Sequence, residues 1–378
     1  MIQFDFDRKC YSCTACANVC SRGAISFDDR LLPIVDRDKC VDCGLCDKVC
    51  INLNPPGCSR QLPHSAKAWA CKNINTEERL SSSSGGIFIL LARYILNSGG
   101  YVCGCVYDED LMPRHIVSDD FKIVSKMMGS KYVTSNMGNC IQEMKLLLEN
   151  NKTVLFSGVP CEIAAVKAVL GDYKNLYFLG IVCHGTIDPS IWRYYLKSKS
   201  RSGNIVKVTM RDKSRGWLNY GLKLTFEDGS ESIAYRYETG YFLKCYTDGL
   251  FERNRCLSCV YKGNNIYADI LLGDGWGLDR YFKEPSNDGL SSVICLTEKG
   301  LKLFNGIDSK ISKAAVDTKE IVGNNKRIIS PAVKPALRDS FLHGIYKKPD
   351  NIEKLCRLYG KDTLIKRAVN KIHRIISR

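Results

Sequence analysis

The stretch "CYSCTACANVC" at residues 10–20 and the stretch "CVDCGLCDKVC" at 40–50 carry the same spacing: a cysteine, two residues, a cysteine, two, a cysteine, three, a cysteine. In such a run three thiolates wrap three corners of one cubane iron–sulfur cluster, and the fourth reaches across to a second cluster. Cys10, Cys13 and Cys16 then take Cys50 as their fourth ligand, and Cys40, Cys43 and Cys46 take Cys20. The duplication is functional on this reading, because each half closes its twin. The plainer reading is a pair of zinc sites or unligated core cysteines. Zinc sites favour two separated pairs of ligands, which this double register does not offer.

Between the runs, "AISF" and "PIVD" alternate in polarity as short strands do. Residues 1–62 thus read as a bacterial-type double 4Fe–4S ferredoxin module. Ser21 and Ile51 stand where a proline commonly follows the fourth cysteine. That alters a turn and leaves the ligand count intact.

The remaining residues are more ordinary. The chain has 378 residues, of which 45% are hydrophobic and 25% charged, as expected of a globular protein. Its longest apolar run, "IFILLARYIL", is interrupted by Arg93 and is too short to span a bilayer. The first residues hold no apolar signal core. Twenty cysteines without a signal suggest metal rather than disulfides, and place the protein in a reducing cytoplasm. The net charge of +15 is uneven: residues 299–378 hold 19 Lys or Arg against 7 Asp or Glu. This basic tail, 301–378, is expected to be helical. Ile352, Leu355, Cys356 and Tyr359 share one face, and Ile365, Ala368, Val369, Ile372 and Ile376 share another. Its basic side reads either as a solvated surface or as a patch for an anionic partner or a membrane surface. No nucleic-acid motif is present, so nucleic acid is not expected as a partner.

Beyond the linker-like "NLNPPGCSRQLPHS" the pattern becomes α/β. "SSSSGG" at 81–86 leads into a helix ended by Gly99 and Gly100. Its serines and glycines suit either a phosphate cradle or an ordinary capped helix. "GYVCGCVYD" reads as a strand with Cys103 and Cys105 on one face, more as core than as ligands. "TVLFSGVPCEIAAVKAVLG" and "LYFLGIVCHGTIDPSIWRYYL" each read as strand, turn and helix. Cys161, Cys183 and His184 fall in the turns, where open α/β sheets bind ligands. "RCLSCVYKG" adds Cys256 and Cys259, making four soft ligands, enough for a third cluster or a zinc ion. "ADILLGDGWG" is a strand running into glycines without the full dinucleotide fingerprint.

In order along the chain, "SSSSGG", "GSKYVTS" at 129–135, "SGVPCEIA" at 157–164, "VCHG" at 182–185, "RDKSRGW" at 211–217 and "RCLSCVYKGNNIYADILLGDGWG" at 255–277 resemble the beta-subunit family of coenzyme F420 hydrogenases and dehydrogenases. The resemblance covers roughly 66–300, with a family N-terminal α/β region at 66–150 and a C-terminal region at 151–300. It implies a non-Rossmann FAD site and a third 4Fe–4S cluster on Cys161, Cys183, Cys256 and Cys259. It implies flavin contacts at Ser84, Gly85, Gly86 and Lys131, with Asp274 orienting a ring or substrate or simply capping its own turn. Two departures stand out: "SGVPCE" replaces the more usual "GTPCQ", and Cys105 occupies a place where small residues are common. The function expected is a flavin- and iron–sulfur-dependent oxidoreductase whose redox partner is reduced deazaflavin or ferredoxin. The alternatives are a non-catalytic electron-relay protein within a larger complex, or a ferredoxin-dependent reductase acting in glycan synthesis.

Overall fold

The computed structural model describes residues 2–57, 66–283 and 287–361. Strands β1 (Ile25–Phe27) and β2 (Pro33–Val35) form the small antiparallel pair expected between the two cysteine runs. Each run carries a single helical turn, Ala15–Asn18 and Leu45–Lys48, entered through a left-handed residue, Thr14 and Gly44. The turn reverses the direction of each run.

The body of the chain is a mixed sheet of eight strands: β3 (Lys67–Asn73), β4 (Tyr101–Tyr107), β5 (Pro113–Ser118), β6 (Val154–Gly158), β7 (Leu176–Ile181), β11 (Ile270–Asp274), β12 (Ser291–Cys295) and β13 (Ile311–Ala315). Their spatial order is β13-β3-β12-β11-β7-β6-β4-β5. The four strands β11, β7, β6 and β4 run parallel, and antiparallel strands complete both edges. One sheet therefore draws on the 66–150 segment, the 151–300 segment and the start of the 301–378 segment.

Both faces of the sheet are buried, and the period of two sorts the side chains. Phe156, Leu271, Cys103 and Ala70 point to the face covered by helices Cys140–Glu149 and Pro160–Leu170. Their neighbours Leu155, Leu272, Val102 and Cys71 point to the face covered by helices Ile87–Asn97 and Glu298–Asn305. A second unit packs round Trp192, Phe242 and Phe341. It contains the three-stranded sheet β8 (Ile205–Asp212), β9 (Gly221–Phe226) and β10 (Glu231–Tyr235), with order β10-β9-β8. Helix Ile352–Gly360 belongs to this unit: Ile352 and Cys356 are buried in its core, with Leu355 and Tyr359 against it. The first apolar stripe of the basic tail is thus covered by the chain itself. The second, from Ile365 to Ile376, lies outside the described residues. Among the described residues no helix is long and apolar enough to cross a membrane.

The cysteine-rich N-terminal segment is clamped to the body rather than tethered to it. Ala15 and Ile51 are part of the main core. The hydroxyl of Tyr261 donates to the carbonyl of Ile51 (2.6 Å) and that of Tyr267 to Pro56 (2.6 Å). Asn18 and Gln142 interlock, Asn18 donating to Gly138 O (2.8 Å) and Gln142 to Asn18 O (2.7 Å). Arg30 pairs with the buried Asp188 (2.9 Å). Removing one donor from such a seam leaves a buried carbonyl unpaired, at about 1–3 kcal/mol. Tyr261→Phe is therefore expected to lower unfolding stability by about 1–3 kcal/mol while unfolding remains one transition. Denaturant titration checks this; an unchanged midpoint would show that the seam does not hold the segment.

Candidate functional site

Parallel neighbours must end at the same edge of their sheet, and that edge opens here into a pocket of about 600 Å³. Its floor comes from the carboxyl ends of β4 (Cys105), β6 (Ser157, Gly158), β7 (Ile181 and the loop to Thr186) and β11 (Leu272 to Asp274). One wall is the approach to helix Ile87–Asn97, with Ser82, Ser83, Ser84 and Gly86. Another is the small sheet, with Arg211, Tyr220 and Arg236. The volume falls in the range of small-molecule and cofactor sites.

Of the residues singled out from sequence, Ser84, Gly86, Lys131 and Asp274 line this pocket. Ser84 Oγ donates to Asp274 Oδ1. Gly86 sits at φ +77°, the left-handed conformation that starts the helix. Gly85 lies in the wall behind: its N–H donates to Ser291 Oγ (2.9 Å) and its carbonyl accepts from Asn73 N (2.7 Å). A Cβ there would meet Cys71 O at 2.5 Å, so glycine is required by close packing. Lys131 gives its ammonium to the carbonyls of Met127 (3.2 Å), Met128 (2.9 Å) and Gly129 (3.2 Å). Burial lowers its pKa, opposed by the nearby Cys105. It holds a turn of the pocket wall in addition to facing the cavity.

Sequence reading missed the partners of Asp274. Arg211, 6% exposed, sends Nη1 to both of its carboxylate oxygens, at 2.9 and 3.0 Å. The guanidinium also lies over the rings of Tyr220 (4.5 Å) and Trp276 (5.6 Å). Asp274 is thus the half-buried ion-pair partner of a buried guanidinium and not a self-capping turn residue. Lys213 stands two residues further on. Its Nζ donates to Arg79 O (2.5 Å), Asp288 O (2.5 Å) and Ser84 O (3.2 Å). Burial, then Arg211, push it down to about 7, while three carbonyl acceptors occupy the three N–H bonds of an ammonium. It fixes the serine loop. Both residues lie in the quoted "RDKSRGW", so the segment was visible though their roles were not. Deeper in the pocket, Ser135 Oγ links His115 Nδ1 (3.0 Å) to Glu162 Oε1 (2.7 Å), and Glu162 Oε2 accepts from Val159 N (2.8 Å).

A second, smaller cavity lies behind the first. Cys161, Cys183, Cys256, Cys259 and Cys10 all line it, with Tyr11, Tyr261 and Lys262. Cys183, His184, Gly185 and Thr186 line both cavities and form the wall between them. The four downstream thiols are close enough to influence one another: burial, then Cys259, Cys183 and Cys256, raise the Cys161 thiol. Cys13 likewise is raised by burial and then by Cys10, Cys16 and Cys50. Among the described residues no three His, Cys, Asp or Glu side chains are gathered so as to hold a single metal ion. Soft thiols facing one cavity, with Lys262 and Arg255 beside them, are a chemically suitable donor set for a cluster whose irons each take one thiolate.

Residues 151–321 match the family model that describes the C terminus of the beta subunit of coenzyme F420 hydrogenase/dehydrogenase. The chain is 24% identical over 324 residues to the coenzyme F420-dependent sulfite reductase of Methanocaldococcus jannaschii, an alignment covering 80% of this chain. It spans about half the length, 46%, of that curated relative. A solved structure of the F420-reducing NiFe hydrogenase complex from Methanosarcina barkeri contains a chain 19% identical, with a TM-score of 0.47, covering 77% of this chain and 92% of that one. Residues 151–321, which supply much of the lining of both cavities, are thus similar to the C-terminal part of the coenzyme F420 hydrogenase/dehydrogenase beta subunit.

Proposed function

We propose that the chain is a flavin- and iron–sulfur-dependent oxidoreductase in which the larger pocket holds FAD and the smaller cavity a 4Fe–4S cluster. The observation that carries this reading is the shared wall: Cys183 to Thr186 face both cavities, so the two groups would be neighbours. When bound, a flavin exchanges electrons in pairs and a cluster singly, and the protein's task is to hold them adjacent. Cys161, Cys183, Cys256 and Cys259 would hold the cluster. Cys10, Cys13, Cys16 and Cys50 would hold a second, and Cys40, Cys43, Cys46 and Cys20 a third. Cys10 lines the smaller cavity, which would set the first N-terminal cluster next in line and make the N-terminal segment the route by which electrons leave or enter.

The pocket's own residues would bind and shape. The serine loop at the N-terminus of helix Ile87–Asn97 offers backbone N–H groups and the positive end of the helix dipole to a phosphate. Lys213 holds that loop by the carbonyl of Ser84. Arg211 and Asp274 stiffen the opposite side as a paired unit, and the stacked Tyr132 and Tyr246 (4.3 Å) supply a flat apolar flank that excludes water. The F420-dependent sulfite reductase relative favours a reduced deazaflavin as the outside partner. Because the chain spans about half of that relative, it would act beside further domains or chains.

Anaerobically purified protein is expected to carry one FAD and about twelve irons, four for each cubane. Iron, zinc and flavin are measured together; eight irons with stoichiometric zinc would remove the cluster behind the pocket and leave the N-terminal pair. Cys256→Ser is expected to abolish deazaflavin-linked turnover while the N-terminal clusters still reduce, as seen by paramagnetic resonance. Full turnover in that variant would strike Cys256 from the ligands. Asp274→Asn would strand the buried Arg211 charge. Its expected cost is about 3–5 kcal/mol of stability, with weakened flavin retention, read by thermal unfolding and bound-flavin content.

A further inference from the structure

Three carboxylates line the larger pocket among the described residues, and two are already committed. Asp274 is held by Arg211 and Ser84, and Glu162 by Ser135 and the Val159 N–H. Glu252 is different. It is 2% exposed, and its Oε2 is buried with no hydrogen-bond partner. Its carboxyl packs on Gly185, in the wall between the two cavities: a Cβ on Gly185 would lie 2.7 Å from Glu252 Cγ and 2.9 Å from Cδ. Gly185 has φ +122°, so both backbone conformation and space reserve that position for glycine and let the carboxyl approach the wall. An unpartnered buried carboxylate is costly, and is retained where it does something besides packing.

We propose that Glu252 is the proton acceptor of the pocket, the group that takes up a proton when electrons pass through the wall to the cysteine-lined cavity. The inference rests on the flavin and cluster reading above. Two electrons leaving a fully reduced flavin ring leave two protons behind, since the cluster takes electrons and no protons. One ring N–H bond breaks, its electron pair stays to leave through the wall, and its proton forms an O–H bond on Glu252. The second proton departs to water at the pocket mouth. In the reverse direction Glu252 returns its proton to the ring.

The surroundings suit a group that changes protonation near neutrality. Burial raises the Glu252 carboxyl from 4.5 to about 7, against the pull of Arg327, Lys262 and Arg338. Tyr246 and the loop carrying His184 also lie beside it. The folded carboxyl therefore keeps its proton to a higher pH than the unfolded one, so stability falls as pH rises from about 4.5 to about 7.

The test uses the anaerobic holoprotein and its Glu252→Gln variant. Infrared spectra of wild type, with glutamate carboxyls isotopically labelled, are expected to show a protonated-carboxyl band that fades through about pH 7 and is missing from the variant. Rapid-mixing rates of cluster reduction by the bound flavin are expected to fall on the order of 100-fold in the variant and to lose their pH dependence. The variant should also melt higher than wild type at pH 8 and equally at pH 4. A wild type without such a band, or a variant with the wild-type pH profile, overturns the proposal; the second result would point to His184. The wild-type band decides the matter should the variant fail to fold. A titrating band in protein that binds no flavin would sink the flavin assignment and still establish Glu252 as the titrating group.

Discussion

Four neighbouring parallel strands deliver their carboxyl ends to one edge, and most of what this molecule offers chemically follows from that constraint. Turns that leave β6, β7 and β11 have nowhere else to go, so Cys161, Cys183 and Asp274 converge although more than a hundred residues separate the first from the last. Because the sheet is covered on both faces, its edge is the open side. The small sheet and the serine loop wall that edge in and convert it into a pocket with an open mouth.

Polar contacts tie together the separate segments that line the pocket. The buried Arg211 guanidinium is balanced by the half-buried Asp274 carboxylate, and its charge would be costly there without that partner. Lys213 ties three separate segments through their carbonyls. Such networks fix geometry because a partly satisfied one is costly. The wall between the cavities follows the opposite rule. It is thin because Gly185 has no side chain, which admits Glu252 and keeps the two compartments adjacent.

Elements with a strong local signal were legible in the sequence. β1 and β2, helix Ile87–Asn97 with its glycine stop, and the strand–turn–helix units around Cys161 and Cys183 stand where alternation, capping and turn residues put them. Strand order was not legible. β3 pairs with β12 and β13, more than two hundred residues away, and no local pattern encodes such a choice. Arg211 and Lys213 escaped for a related reason. A basic residue at the end of a strand looks like surface until its acceptors, supplied by distant segments, are known. Gly85 shows the reverse error: a glycine beside a helix N-terminus suggests ligand contact, yet here it serves the packing of β3 against β12.

The N-terminal segment meets this arrangement through Tyr11, Tyr261 and Cys10, and on the proposed function that contact would put the N-terminal cysteines next to the cavity behind the pocket. The most direct test of that claim is anomalous diffraction at the iron edge from anaerobic crystals. The account predicts iron between Cys161, Cys183, Cys256 and Cys259, behind the Gly185 wall, as well as at the two N-terminal sites. Iron confined to the N-terminal segment, or a zinc-edge signal behind the wall, would contradict it.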